Sequence, residues 1–167
     1  MRHLQKNYAF IDSQNLHLNI RAQGWTLDFS RFRIYLREKY AVEKAYLFLG
    51  YISGNEPLYA TLRDAGFTCI FKPTVRHKDG GIKGNCDAEL VLWSMIDFNV
   101  YAKAVIVTGD GDFYCLIDYL LKNNKLECIL IPDRNFFSSL LKIKRFRSRL
   151  HYMNDLRGRL HKKEKAP

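Results

Sequence analysis

The sequence predicts an α/β fold in which a parallel sheet lies between layers of helices. Two observations carry this. Short apolar runs alternate with longer segments of helical period along most of the 167 residues. The clearest run, Val105-Ile106-Val107, is continuous rather than alternating, as expected of a strand buried on both faces. Parallel neighbours need crossover connections, which the intervening helices supply. The length suits one domain with one sizeable core, and no repeat or low-complexity linker divides it.

In order, Tyr8–Ile11 reads as a first strand ending at Asp12, with Ser13, Gln14 and Asn15 behind it. Leu27–Tyr40 is a helix with an apolar stripe of Leu27, Phe32, Tyr35 or Leu36, and Tyr40. Lys44–Tyr51 is a second strand. Glu56–Ala65 is a helix with Pro57 in its first turn and Gly66 at its end. Phe67–Lys72 is a third strand, halted by Pro73. Residues 75–85 hold Gly80, Gly81 and Gly84 among Arg76, Lys78 and Lys83, and read as a mobile basic loop or hairpin. Asp87–Phe98 is a helix burying Leu90, Val91, Ser94 and Met95 or Ile96. The fourth strand follows, then the turn Thr108-Gly109-Asp110-Gly111-Asp112 and a helix over Phe113–Asn123. Leu126–Ile131 is a fifth strand, and Ser138–Phe146 a last helix. The domain is expected over residues 1–150, with a basic tail over 151–167.

Hydrophobic residues at 47% and charged residues at 26% fit a soluble globular chain. No apolar run approaches the roughly 18 residues a membrane span needs, and the N-terminus lacks a signal-peptide pattern, so a cytoplasmic location is expected with no membrane partner. Cys69, Cys86, Cys115 and Cys128 show no paired spacing and read as buried thiols. The five histidines show no metal-ligand spacing either. The net charge of +10 is concentrated late: ten basic residues from Lys142 to Lys165 face only Asp155 and Glu164. Such a segment suits a polyanion, RNA or DNA, although a solvated tail has the same composition.

Four aspartates are placed to meet. Asp12 ends the first strand, while Asp110 and Asp112 follow the fourth. If those strands are neighbours where the strand order reverses, their carboxyl ends share one crevice. Asp87 starts the helix before the fourth strand, which brings it to the same end. Each has a structural alternative: a strand-end turn for Asp12, a helix cap for Asp87, and a cap for Asp112 in addition to or instead of a ligand role. Glu89 is expected to face solvent, and Asp133 is an outer candidate. Two carboxylates about 5 Å apart repel by roughly 3 kcal/mol at an effective dielectric of 20. A cation relieves that, and an all-oxygen set favours Mg²⁺ or Mn²⁺ over Zn²⁺. Phosphodiester hydrolysis is the chemistry such a site suits.

The motifs carrying these residues resemble those of the NYN domain, the LabA-like branch of the PIN-like ribonucleases. FIDSQN at 10–15 is similar to its first motif, KGNCDAELVL at 83–92 to its second, VTGDGDF at 107–113 to its third, and SSLL at 138–141 to the opening of its final helix. The resemblance implies a PIN-like, Rossmann-like three-layer sandwich with strand order 3-2-1-4-5. It implies metal-dependent RNA cleavage, with Asp12, Asp87, Asp110 and Asp112 as ligands of Mg²⁺ or Mn²⁺ and its water. Asn15 matches the position that orients the first Asp or a phosphate, and Lys83 and Ser138 match positions lining the site. Arg76 and Lys78 would hold the RNA backbone from the basic loop. Thr108 stands where Ser is usual, Lys83 lies four rather than three residues before Asp87, and Trp93 replaces a further Asp. The alternatives are an RNA- or nucleotide-binding module without turnover and, lower, a phosphatase, whose D-x-D-x-[TV] motif is absent. Homodimer formation is left open.

Overall fold

The run expected to form the first strand lies in the middle of the sheet. The computed structural model describes residues 6–76, 82–83 and 85–163, and at 75, 76, 82 and 83 the backbone alone. The elements in chain order are β1 (Asn7–Asp12), α1 (Ser13–Ala22), α2 (Phe29–Tyr40), β2 (Val42–Gly50), α3 (Glu56–Asp64) and β3 (Thr68–Lys72). A short antiparallel hairpin of β4 (Val75–Arg76) and β5 (Ile82–Lys83) follows, then α4 (Asp87–Ile96), β6 (Ala104–Val107), α5 (Tyr114–Lys122) and β7 (Leu126–Ile131). The chain closes with β8 (Leu150–Tyr152) and α6 (Arg157–Leu160).

The main sheet runs β3-β2-β1-β6-β7-β8, with every neighbouring pair parallel. Counting only these strands, the order is 3-2-1-4-5-6, which is the expected order with one strand added. Phe10 of β1 stands opposite Tyr46 of β2 and Ile106 of β6. Successive side chains leave opposite faces of a strand. Ala9, Ile11, Val105 and Val107 therefore join Leu16, Ile20, Phe32, Leu36 and Leu62 of α1–α3 in one core. Phe10 and Ile106 join Leu90, Ile117 and Leu120 of α4 and α5 in the other. Two cores on two faces make the three-layer sandwich. The chain winds outward from β1 through β2 and β3, then returns to β6, so the reversal falls between β1 and β6. No described helix is long and apolar enough to cross a membrane.

Three local expectations are corrected. Residues 13–22, left without an element by their polar composition, form α1, because Leu16 and Ile20 at i, i+4 suffice to dock one narrow stripe on the sheet. The last helix expected over 138–146 is instead two 3₁₀ turns, Ser139–Leu141 and Lys144–Arg149, separated by an extended Ile143. Leu141 and Phe146 are its buried residues, and their spacing of five does not fit one helical face. On α4, Met95 and Ile96 are exposed, whereas Leu90 and Ser94 face the sheet. No disulfide joins the four cysteines; Cys128 is buried and Cys115 exposed.

The segment read as a tail is folded as far as α6. β8 adds to β7, Met153 is fully buried, and Leu160 is buried against Leu27 and its neighbours, with Leu27 bridging to His161. The basic residues on either side, from Lys142 to Arg149 and from Arg157 to Lys163, masked these anchors. Leu160→Ala should therefore lower the unfolding free energy by about 3 kcal/mol, the usual cost of a buried Leu truncation. Chemical denaturation measures this, and an unchanged midpoint would return the segment to the status of a tail.

Candidate functional site

The reversal point is built by two polar contacts between strand ends. Asp12 terminates β1 and caps α1, its Oδ1 accepting from the Asn15 amide N–H at 3.1 Å. Its other oxygen accepts from the Thr108 hydroxyl at 3.0 Å. Asn15 reaches the same turn, its Oδ1 accepting from the Gly109 N–H at 2.8 Å. Thr108 Oγ1 in turn accepts from the Asp110 N–H at 3.1 Å. One buried hydroxyl thus positions both Asp12 and Asp110. Asp110 caps the following 3₁₀ turn (Gly111–Phe113) by accepting from the Asp112 N–H at 2.9 Å. The cap role considered for Asp112 falls to Asp110.

Asp87 arrives from the opposite layer as the first residue of α4. Its carboxylate accepts from the Asn85 side-chain amide at 2.9 Å, and its N–H donates to Asn85 Oδ1 at 2.8 Å. Lys72 holds the approach by donating to the Asn85 carbonyl at 2.7 Å. Lys72 also lies 3.6 Å from Glu89, so Glu89 turns towards a cation rather than to solvent.

Oxygens of Asp12, Asp87 and Asp110 lie within 4.8 Å of one another. Asp112 is exposed and outside this trio, but its charge is near enough to act on Asp87. Burial pushes the Asp12 carboxyl up to about 6, reinforced by the charges of Asp87 and Asp110 and opposed by the bonds from Asn15 and Thr108. Asp87 is raised by burial and by Asp110 and Asp112, against the lowering effect of Asn85 and Lys72. Three hard oxygen donors gathered at one point fit a divalent cation.

An open cleft of about 560 Å³ adjoins the trio, its walls including Asn15, Asp110, Asp112, Asn135, Phe136 and Ser138. The trio and the cleft meet at Asp110. The far wall is pressed close to the glycine turn. Ser138 N–H donates to the Gly109 carbonyl at 2.9 Å, and a Cβ on Gly111 would stand 2.3 Å from Ser138 Oγ. Gly111 is required by this approach.

Of the residues singled out in the sequence, Asp12, Asp87 and Asp110 converge. Asn15 acts on the turn backbone, and Asp112 and Ser138 line the cleft. Lys78 lies outside the described residues, as do the side chains of Arg76 and Lys83. Asp133 is buried and binds the Asn135 N–H and the Asn154 amide, a loop anchor rather than part of the trio. Trp93 packs against Tyr46 with ring centroids 5.5 Å apart. Sequence reasoning missed Thr108, Asn85 and Phe136. The first was visible only as a Thr for Ser exchange, and the other two carried no signal.

The family model described as NYN domain matches residues 7–148. A crystal structure of a protein of unknown function from Vibrio parahaemolyticus is similar, with a TM-score of 0.74 and 21% identity over 93% of this chain and 97% of that one. At that identity the likeness concerns the fold. No curated protein matches the chain.

A carboxyl raised on folding favours the folded state at low pH and opposes it once ionised. Without metal, stability should therefore fall as pH rises from about 4 through about 6, by up to about 3 kcal/mol from Asp12. Asp87 adds in the same direction. Denaturant melts at pH 4 and 7.5 bracket most of the fall, Mn²⁺ at pH 7.5 should restore it, and Asp12→Asn should reduce it. A pH response identical in the wild type and Asp12→Asn would contradict the assignment.

Gly111→Ala should cost about 1–3 kcal/mol through overpacking on Ser138. Combined with Ser138→Gly it should cost less than the sum of the two single changes, because the contacted atoms are gone. A double-mutant cycle on thermal unfolding checks the coupling.

Proposed function

Since the chain belongs to the NYN domain family, we propose that it is a divalent-metal-dependent ribonuclease cutting RNA phosphodiester bonds at the Asp12–Asp87–Asp110 trio. The observation that carries the reading is the position of Asp110, which belongs both to the carboxylate trio and to the wall of the open cleft. A chain placed in the cleft would bring its phosphate to the carboxylates.

Asp12, Asp87 and Asp110 would hold the ion, Mg²⁺ or Mn²⁺. When bound it supplies charge to the phosphoryl oxygens and a water acidified for attack. The remaining work falls to the protein. Thr108 donates to the Asp12 carboxylate and holds the Asp110 backbone, while the Asp112 N–H holds the Asp110 carboxylate, which limits the rotamer search of both acids. Asn15 holds the Gly109 backbone, so the turn cannot swing out when charge enters the site. Asp112, exposed on the cleft wall, is placed to accept a proton from an ordered water. Ser138 Oγ accepts from the Leu140 N–H at 3.2 Å, leaving its own proton to offer a phosphate oxygen. The surplus of Lys and Arg over Asp and Glu draws the polyanion to a site that is locally negative.

Asp110→Asn tests the proposal. The amide oxygen can still cap the 3₁₀ turn, and the change removes a charge beside Asp12. Metal-free thermal stability should therefore hold or rise, while Mn²⁺-dependent cleavage of RNA should fall about 100-fold or more. Undiminished cleavage by purified Asp110→Asn would refute it. Salt-sensitive RNA binding by the wild type without cleavage in Mg²⁺ or Mn²⁺ would leave a binding module of the same fold.

A further inference from the structure

Phe136 is 71% exposed, more than any other large hydrophobic side chain among the described residues. An exposed aromatic at a loop tip is commonplace when the loop is loose, but this loop is tied on both sides of the ring. Before it, the buried Asp133 carboxylate accepts from the Asn135 N–H at 3.0 Å and from the Asn154 amide at 3.0 Å, and the Phe136 N–H donates to the Asp133 carbonyl at 3.2 Å. Arg134 N–H donates to Asn154 Oδ1 at 2.8 Å. After it, Phe137 packs edge-on to Tyr152 and lies under Lys142, whose Nζ is 4.7 Å from the ring centre. Ser138 is bonded to Gly109. The ring is held out in water by a framework that could have buried it.

Its position gives the exposure a use. The Phe136 carbonyl lies 3.5 Å from where a Cβ on Gly109 would stand, one residue from Asp110. Phe136 forms part of the cleft wall together with Asn19 and Asn135. Among the described residues the cleft wall carries no cationic side chain, so away from the carboxylate trio it offers a strand apolar and amide surface rather than a counter-charge for phosphate. An aromatic face with neighbouring amide donors and acceptors suits a heterocyclic base. The volume is within the range of sites for single small ligands.

We propose that Phe136 is the stacking platform for one unpaired nucleobase of the RNA, adjacent to the phosphate at the carboxylate trio, so that the site takes single-stranded RNA. The inference rests on the ribonuclease reading and deepens it. A base within a duplex keeps its faces covered by its neighbours, whereas an unpaired base can offer one to the ring. Stacking is tolerant of base identity, and therefore predicts strand-state selectivity rather than a strict sequence.

The test uses anisotropy of a fluorescent single-stranded RNA decamer in EDTA, with a repeat in Ca²⁺, and no cleavage readout. Phe136→Ala should weaken binding about tenfold, and Phe136→Trp should preserve it. The slope of log Kd against log salt should be the same in both, because no phosphate contact is lost. A set of decamers with a single abasic position moved along the strand should show one position that weakens binding to the wild type but not to Phe136→Ala. The exposed ring makes an unchanged melting temperature the control for folding. Binding by Phe136→Ala within twofold of the wild type, or the absence of a sensitive abasic position, would overturn the platform and leave the ribonuclease reading standing. Failure of the unaltered protein to bind RNA in either condition would overturn both.

Discussion

The Thr108 hydroxyl is the contact on which the arrangement of the site depends. It donates to Asp12 and accepts from the Asp110 N–H, joining the ends of two adjacent parallel strands through a fully buried atom. Asn15 repeats the connection one residue further on, from the first turn of α1 to the Gly109 backbone. Burial at this junction raises the Asp12 pKa, and the charges of Asp87 and Asp110 add to the shift. A bound cation would offset both contributions.

The same turn governs what lies beside the carboxylates. Gly109 and Gly111 remove side-chain bulk where the Asn135–Ser138 loop crosses, and the Ser138 N–H closes on the Gly109 carbonyl. The cleft wall is therefore in register with the trio. Asp133 and Asn154 fix the other end of that loop, and Asn154 follows directly from Met153, which is buried under the sheet edge. Residues after β8 in this way reach the cleft through packing, although they contribute no ligand to the trio. Under the ribonuclease reading, the positive surplus of the chain and the local negative charge of the trio would act at different distances: the first would concentrate a polyanion near the surface, and the second would repel it at the last step unless a divalent ion intervened.

The alternation of apolar runs and helical periods, with Val105-Ile106-Val107 unbroken, was sufficient to establish parallel strands and their layering, because burial on both faces leaves no other composition available. The aspartates were legible for a related reason. Carboxylates at strand ends and at a helix start stand out against apolar surroundings, and their motifs resemble one family in order. What was not legible involved isolated contacts. α1 docks through Leu16 and Ile20, and the last segment through Met153 and Leu160, too few apolar positions to generate a period. Asp112 and Asp110 could not be ranked from Gly-Asp-Gly-Asp, since cap and ligand roles use the same side chain.

The sequence by itself therefore determined the layer architecture and five of the six strands of the main sheet, which follow from local composition and spacing, and it offered four aspartates for one site. Only the tertiary structure decided that Asp110 rather than Asp112 joins Asp12 and Asp87, that Thr108 couples them, and that Phe136 stands exposed at the cleft. Those outcomes depend on which hydrogen-bond donor meets which oxygen between strand ends nearly a hundred residues apart in sequence, as the Thr108 hydroxyl and the Asp12 carboxylate are. No local pattern encodes that distance.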